Sequence, residues 1–194
     1  MGKNVVVIAG PSGSGETTIT NEIVRRFAGR VCRLVTATTR PPRAGEKDGT
    51  DYYFFTKERF EKEKESGNIL ESTYIENRDT HYGTYKPDLD KKLQAGSIVV
   101  INPDIVGARF YKKKYGATTI FILPESVDAI EGRLRQRNPE FSNADIAKRR
   151  ANAEAEIENE KSFYDYVVTN ADGKLNKAVD EVVAILEKEG YNLD

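Results

Sequence analysis

Three features of this 194-residue chain predict an α/β three-layer sandwich with a parallel central sheet. An apolar run, Val5–Ala9, leads straight into a glycine-rich loop and then an amphipathic segment. Short apolar runs return at "SIVVI" (97–101), "TTIFIL" (118–123) and "YVVT" (166–169). Helical patterns alternate with them. Unbroken apolar runs suit strands covered on both faces, and strands alternating with helices build parallel sheets.

The first helix is expected over about 17–28, with Ile19, Ile23, Val24 and Phe27 on one stripe. The last begins near Leu175, where Leu175, Ala178, Val179, Val182, Val183 and Leu186 share a face and Gly190 suits its end. Two segments break this rhythm. Residues 36–87 are rich in Arg, Tyr, Gly and acidic residues and contain short alternating runs such as "DYYFF", which suggests a small, partly β excursion. The basic stretch 133–150, interrupted by Asn-Pro and Ser-Asn, suggests a helical flap with a mobile tip. The resulting plan has one core made of 1–35, 91–130 and 159–194, with excursions at 36–90 and 131–158.

Formal charge is −1, so no overall basic field points to nucleic acid or a membrane surface. No apolar run approaches the roughly 18 residues of a membrane span, and the N-terminal stretch is too short for a secretory signal. Cys32 is alone, which excludes an intrachain disulfide, and no Cys/His cluster suggests zinc. A cytoplasmic enzyme or binding domain is expected. Cys32 and the single histidine, His81, are read as packing or surface residues.

The loop after the first strand has the frame G-x-x-x-x-G-x-T, from Gly10 through Gly15 to Thr17. Glycines at 10, 13 and 15 let successive N–H groups point inward at an anion, and the following helix adds its positive end. Thr17 is placed to offer a hydroxyl to Mg²⁺. Where such loops carry lysine, this chain carries Glu16. Two unit charges ~4 Å apart interact by about 4 kcal/mol at an effective dielectric near 20, so the exchange turns attraction for a polyphosphate into repulsion. For the helix the residue is harmless, because an acidic side chain suits the first turn.

Beyond the loop, "TATTRPPRAGEKDGTDYYF", "HYGT", "INPDIVGA" and the arginine-rich stretch occur in the order and at about the spacing found in guanylate kinases. Over roughly residues 4–188 the chain resembles that family. The resemblance implies a P-loop NTPase sandwich with a small mixed α/β GMP-binding insert and a helical lid, using Mg·ATP and GMP. It implies an ATP phosphate site at Gly10, Ser12, Gly13, Ser14, Gly15, Glu16, Thr17 and Thr18, with Thr17 toward the metal. It implies that Arg40, Arg43, Tyr52 and Tyr82 grip the GMP phosphate, guanidinium forks being suited to its oxygens. Glu71 matches the carboxylate that accepts from guanine N1–H and the 2-amino group, while Thr36 and Thr84 keep hydroxyls for the base. Asp104 matches an aspartate near the phosphates, poised for magnesium water or the acceptor. The neighbouring family aspartate is Asn102 here and the usual glutamine is Val106. Arg133, Arg137 and Arg149 match lid arginines that close over the transferring phosphoryl group, whereas Arg135 and Arg150 read as solvated. The stretch before His81 is about two residues longer than usual, which leaves the register around Tyr82 and Thr84 open.

Two functions remain at this point. One is an ATP:GMP phosphotransferase, monomeric or homodimeric, with GMP or a related acceptor such as dGMP. The other is a guanylate-kinase-like module that binds GMP or a protein partner without efficient turnover, as Glu16 would permit.

Overall fold

The computed structural model of the chain describes residues 3–194, save the side chain of Asn77. Met1 and Gly2, assigned above to the first core segment, lie outside the described residues. Five parallel strands form the central sheet: β1 (Val5–Ala9), β2 (Val31–Arg33), β7 (Ile98–Ile101), β8 (Thr118–Pro124) and β9 (Tyr166–Asn170), in the order β2-β7-β1-β8-β9. Side chains alternate across β1. Val6 and Ile8 join a core with α1 (Glu16–Arg26) and α7 (Leu175–Lys188), while Val5, Val7 and Ala9 join another with α3 (Lys86–Gln94) and α4 (Ile105–Tyr115). Helices therefore cover both faces, and continuous apolar strands are the consequence.

The sequence reading of β1, β7, β8, β9 and α7 matches these elements within a residue or so. The first helix is shorter than expected, because Phe27 leaves helical geometry at φ −115°. Strand β2 escaped notice, since its Val-Cys-Arg is too short and too polar to stand out.

Residues 37–85 build a second sheet from β3 (Ala37–Thr38), β4 (Tyr53–Phe54), β5 (Ile69–Ile75) and β6 (Thr80–Tyr85), in the order β4-β3-β6-β5. Helix α2 (Lys57–Glu65), capped by the Thr56 hydroxyl, packs Phe60 against Ala37, Phe55 and Ile69. The extra residues noted before His81 form a 3-10 turn that ends at Asp79 with φ 47°. His81 is a packing residue, its ring lying against Phe60 and Tyr74 at 5.2 and 4.7 Å. Buried Asp88 on α3 ties this sheet to the core: it accepts from Val35 N at 3.0 Å and from the Tyr53 hydroxyl at 3.1 Å, and pairs with Lys92.

Helices α5 (Val127–Arg137) and α6 (Asn143–Glu160) form a hairpin with a small core of Ile130, Leu134, Ile146 and Ala153. The tip between them, expected to be mobile, carries local contacts. Phe141 packs on that core beneath the Arg149 guanidinium, and Ser142 with Asp145 makes a capping box. Among the described residues, no helix is long and apolar enough to cross a membrane, and no group of three or more His, Cys, Asp or Glu is arranged to hold a metal.

Candidate active site at the carboxyl ends of the strands

The glycine loop leaves the carboxyl end of β1 and enters α1. Gly15 caps that helix with φ 95°, and a Cβ there would sit 2.3 Å from the Asn170 amide nitrogen, so both conformation and space demand glycine. Asn170 in turn donates to the Ser14 carbonyl at 2.8 Å. Arg133 adds a second brace. Its Nη1 donates to the carbonyls of Gly13 and Ser14, its Nη2 to Asn170 O and Asp172, and its Nε to Asp172. All five guanidinium hydrogens are committed. These bonds fix the carbonyls of Gly13 and Ser14, and the Ser14 N–H returns to the Pro11 carbonyl at 2.9 Å.

That cleft, about 380 Å³, is lined by Gly10, Ser12, Gly13 and Glu16 of the loop, by Pro103 and Asp104 after β7, and by Arg137, Glu156, Glu160 and Tyr164. Glu16 takes a hydrogen bond from the Ser14 hydroxyl at 3.2 Å. The walls screen its carboxyl from water, which pushes its pKa up to about 7, while Ser14 and the charge of Arg137 oppose the rise. Glu156 is raised to about 7 as well, by burial and by Glu160. Sequence reasoning missed Glu156 and Glu160. Their i,i+4 spacing puts them on one face of α6, but only the hairpin's docking brings that face to the loop. Thr17 and Thr18 are exposed on α1 and line a neighbouring cleft of about 230 Å³ with Arg133 and Arg137.

A second cleft, about 240 Å³, opens between the two sheets. Its lining includes Thr36, Tyr52, Glu71, Tyr82 and Thr84, and it shares Pro103 and Asp104 with the first. Glu71 on β5 is half-buried; burial raises its pKa and the Thr84 hydrogen bond, 2.6 Å from Oε1, partly offsets this. Arg40 forms a two-pronged pair with Glu46, Nη2 to Oε1 at 2.6 Å and Nη1 to Oε2 at 2.7 Å, and lies over the Tyr52 ring at 5.0 Å. Arg40 holds the Glu46 carboxyl down to about 2, aided by the Arg43 N–H. Asp104, at the junction, caps α4 through Gly107 N at 2.9 Å and accepts from the Thr73 hydroxyl at 2.6 Å. Asn102 turns its amide inward, donating to Ile8 O and Thr20 Oγ1.

The structure thus gathers most of the expected residues, while Arg133, Arg149 and Thr84 have their side chains engaged by protein partners. Arg133 braces the loop instead of offering free donors to a phosphoryl group. Arg149 stays over Phe141 at the hairpin tip, outside the cleft linings described here. Thr84 is fully buried, and its hydroxyl is taken by Glu71 and Tyr111 rather than open to a base. Arg43 is exposed, with its backbone N–H on Glu46. Arg135 and Arg150 are paired with acidic neighbours at the surface, and Val106 is exposed.

A model of the guanylate kinase family matches residues 2–189. The chain belongs to the guanylate kinase family. It is 37% identical over 187 residues to the guanylate kinase of Wolbachia sp. subsp. Brugia malayi, covering 95% of this chain and 92% of that one. It is 39% identical over 186 residues to the guanylate kinase of Carboxydothermus hydrogenoformans, covering 95% and 88%. The crystal structure of guanylate kinase from Anaplasma phagocytophilum superposes with a TM-score of 0.72 at 25% identity, over 99% of this chain and 89% of that one. Two adjoining clefts at the strand ends, one at a glycine loop, are therefore found in a guanylate kinase family member whose loop carries Glu16.

Proposed function

We propose that this chain transfers the terminal phosphoryl group of Mg·ATP to GMP, yielding ADP and GDP. The observation that carries the reading is the wall common to both clefts, Pro103 and Asp104. Phosphoryl transfer is mostly positioning and charge stabilisation, and it needs donor and acceptor held in line across a short gap. Clefts that meet at these two residues suit that arrangement.

In this reading backbone N–H groups of the loop and of the first turn of α1, other than that of Ser14, which is bonded to Pro11 O, hold the ATP phosphates. Arg40, Arg43, Tyr52 and Tyr82 hold the acceptor phosphate. Glu46 and Pro41 use three of the five Arg40 hydrogens, and the Tyr82 hydroxyl also bonds this guanidinium, so Arg40 and Tyr82 would meet that phosphate together. Glu71 and Thr36 read the base, and Thr84 acts through Glu71. Residues 36–90 serve as the acceptor-binding insert and 131–158 as the lid, with Arg137 already over the loop cleft and Arg149 reaching it when the hairpin closes.

The residues fit magnesium. Thr17 offers an exposed hydroxyl beside the loop, Asp104 and Glu16 make the cleft walls acidic, and this ion takes few protein ligands beside substrate phosphates. Bound with ATP, it supplies neutralising charge to the β- and γ-oxygens. Glu16 works against the polyphosphate when ionised, and its raised pKa lets part of the population avoid that repulsion near neutral pH.

GMP-dependent ADP formation from Mg·ATP, measured beside a Glu16→Lys variant, tests the reading. Turnover that requires GMP in either protein supports it. Silence in both overturns it in favour of a module that binds without transferring.

A further inference from the structure

Thr84 has one hydroxyl proton and two lone pairs, and in this fold it has two oxygen partners. It donates to Glu71 Oε1 at 2.6 Å, and its Oγ1 also bonds the Tyr111 hydroxyl. With Glu71 ionised, the single Thr84 proton goes to its carboxylate and Tyr111 is the donor in the second bond. A directed chain then runs from Tyr111 on α4, through Thr84 on β6, to Glu71 on β5.

Tyr111 and Thr84 are both fully buried. The Tyr111 ring lies among Phe110 and Tyr115, at 5.2 and 5.8 Å, in the core beneath the central sheet. Packing alone gives no reason for a hydroxyl there. Phenylalanine would fill nearly the same space without the cost of removing a phenol from water. The bond to Thr84 is the compensation.

We propose that Tyr111 is a positioning residue for purine selection: its hydroxyl orients Thr84, which holds Glu71 ionised and aimed at the cleft as a pure acceptor. This rests on the reading of Glu71 as the base-recognising group. An ionised carboxylate has about four acceptor sites and no donor. Thr84 occupies one on Oε1, and Oε2 stays beside Gly107, 3.6 Å from where a Cβ there would stand. Such a surface accepts a guanine's N1–H and 2-amino hydrogens and offers nothing to adenine's N1. The titratable groups around it are Asp104 and Tyr111 from α4 and its cap, and Tyr52 and Tyr82 from the second sheet's side of the cleft. Burial and Asp104 favour a protonated Glu71, while the Thr84 hydroxyl foremost, and a hydrogen bond from the Thr84 backbone, oppose that loss of acceptor character.

The test is GMP and AMP binding to full-length Tyr111→Phe by calorimetry, from pH 5 to 8. Losing one such hydrogen bond is expected to weaken GMP binding about three- to tenfold, to move its acid limb to higher pH, and to narrow the GMP-over-AMP ratio. Turnover at saturating GMP should fall less than affinity. GMP binding identical to the parent chain, or an equal loss at every pH with the ratio intact, overturns the proposal. Should Tyr111→Phe not fold, Thr84→Ser and Thr84→Val replace it. Serine keeps the relay and should bind as the parent does, valine should not, and equal binding by both overturns the idea. Glu71→Gln distinguishes the two levels. Unchanged GMP binding there defeats the base-reading role itself, whereas loss there with intact binding in Tyr111→Phe defeats only the relay.

Discussion

Arg133 Nη1 donates to the Ser14 carbonyl at 3.1 Å, so a helix of the hairpin grips the phosphate loop from its outer side. The same side chain reaches Gly13, Asn170 and Asp172. A residue expected to meet the transferring phosphoryl group is here bonded to the glycine loop and to the end of β9.

Arg133→Lys should therefore damage the loop more than a change of equal charge suggests. Lysine has three donors around one point and cannot span Gly13, Ser14, Asn170 and Asp172 together. The expected outcome is a stability loss of about 1–3 kcal/mol and weaker ATP binding, read by thermal melts with and without ATP. Unaltered melting in both conditions would remove Arg133 from the loop's support.

Glu16 makes a pH dependence with a definite sign. Its folded-state pKa of about 7 lies above the unfolded carboxylate value. The folded protein therefore binds the extra proton between the two, and stability falls as pH rises through that window, by at most about 3–4 kcal/mol. Glu16→Gln should flatten part of this slope, with Glu156 retaining the rest. The same variant should lower the KM for ATP roughly tenfold at pH 8 and little at pH 6, where the native side chain is already neutral. An equal effect at both pH values would show that ionised Glu16 does not face the phosphates.

The Arg40–Glu46 pair predicts a binding effect without loss of fold. Glu46 holds two arms of the guanidinium and also receives the Arg43 N–H, so Glu46→Ala frees Arg40 to wander. The KM for GMP should rise several-fold while kcat at saturation is largely kept. A fall in KM would mean that Glu46 masks Arg40 rather than aiming it.

Phe60 is fully buried under the second sheet, against Ala37, Phe55 and Ile69. Phe60→Ala should cost about 3–5 kcal/mol in that small core. Hydrogen exchange should show the loss concentrated in residues 37–85, with β1, β7 and β8 still protected. Uniform loss of protection would instead mean that the two sheets unfold as one unit.

Much of this was legible in the chain. Val5–Ala9 ahead of a glycine loop, and the apolar stripe of the last helix, announce a parallel sheet because burial on two faces leaves a one-dimensional pattern. Tyr52, Glu71 and Tyr82, expected from their motifs as binding residues, line one cleft, with Arg40 over the Tyr52 ring. Strand β2 was not, since three residues with a cysteine and an arginine carry no periodicity. Glu156, Glu160 and Asn170 were invisible as site residues, because nothing local distinguishes them from ordinary helix and strand-end positions.

By itself, the sequence determined the sheet's apolar strands, the loop that needs glycine at its turn, and the presence of an acid where a cation is usual. Those features depend on neighbours along the chain. Tertiary structure alone decided what each polar group is free to do. It committed all five Arg133 hydrogens, two to loop carbonyls and three to Asn170 and Asp172, turned the Thr84 hydroxyl toward Glu71, and put Glu16 between walls that raise its pKa. Hydrogen-bond capacity is finite and the cost of charge depends on lost water, and both are set by residues that meet only when the chain has folded.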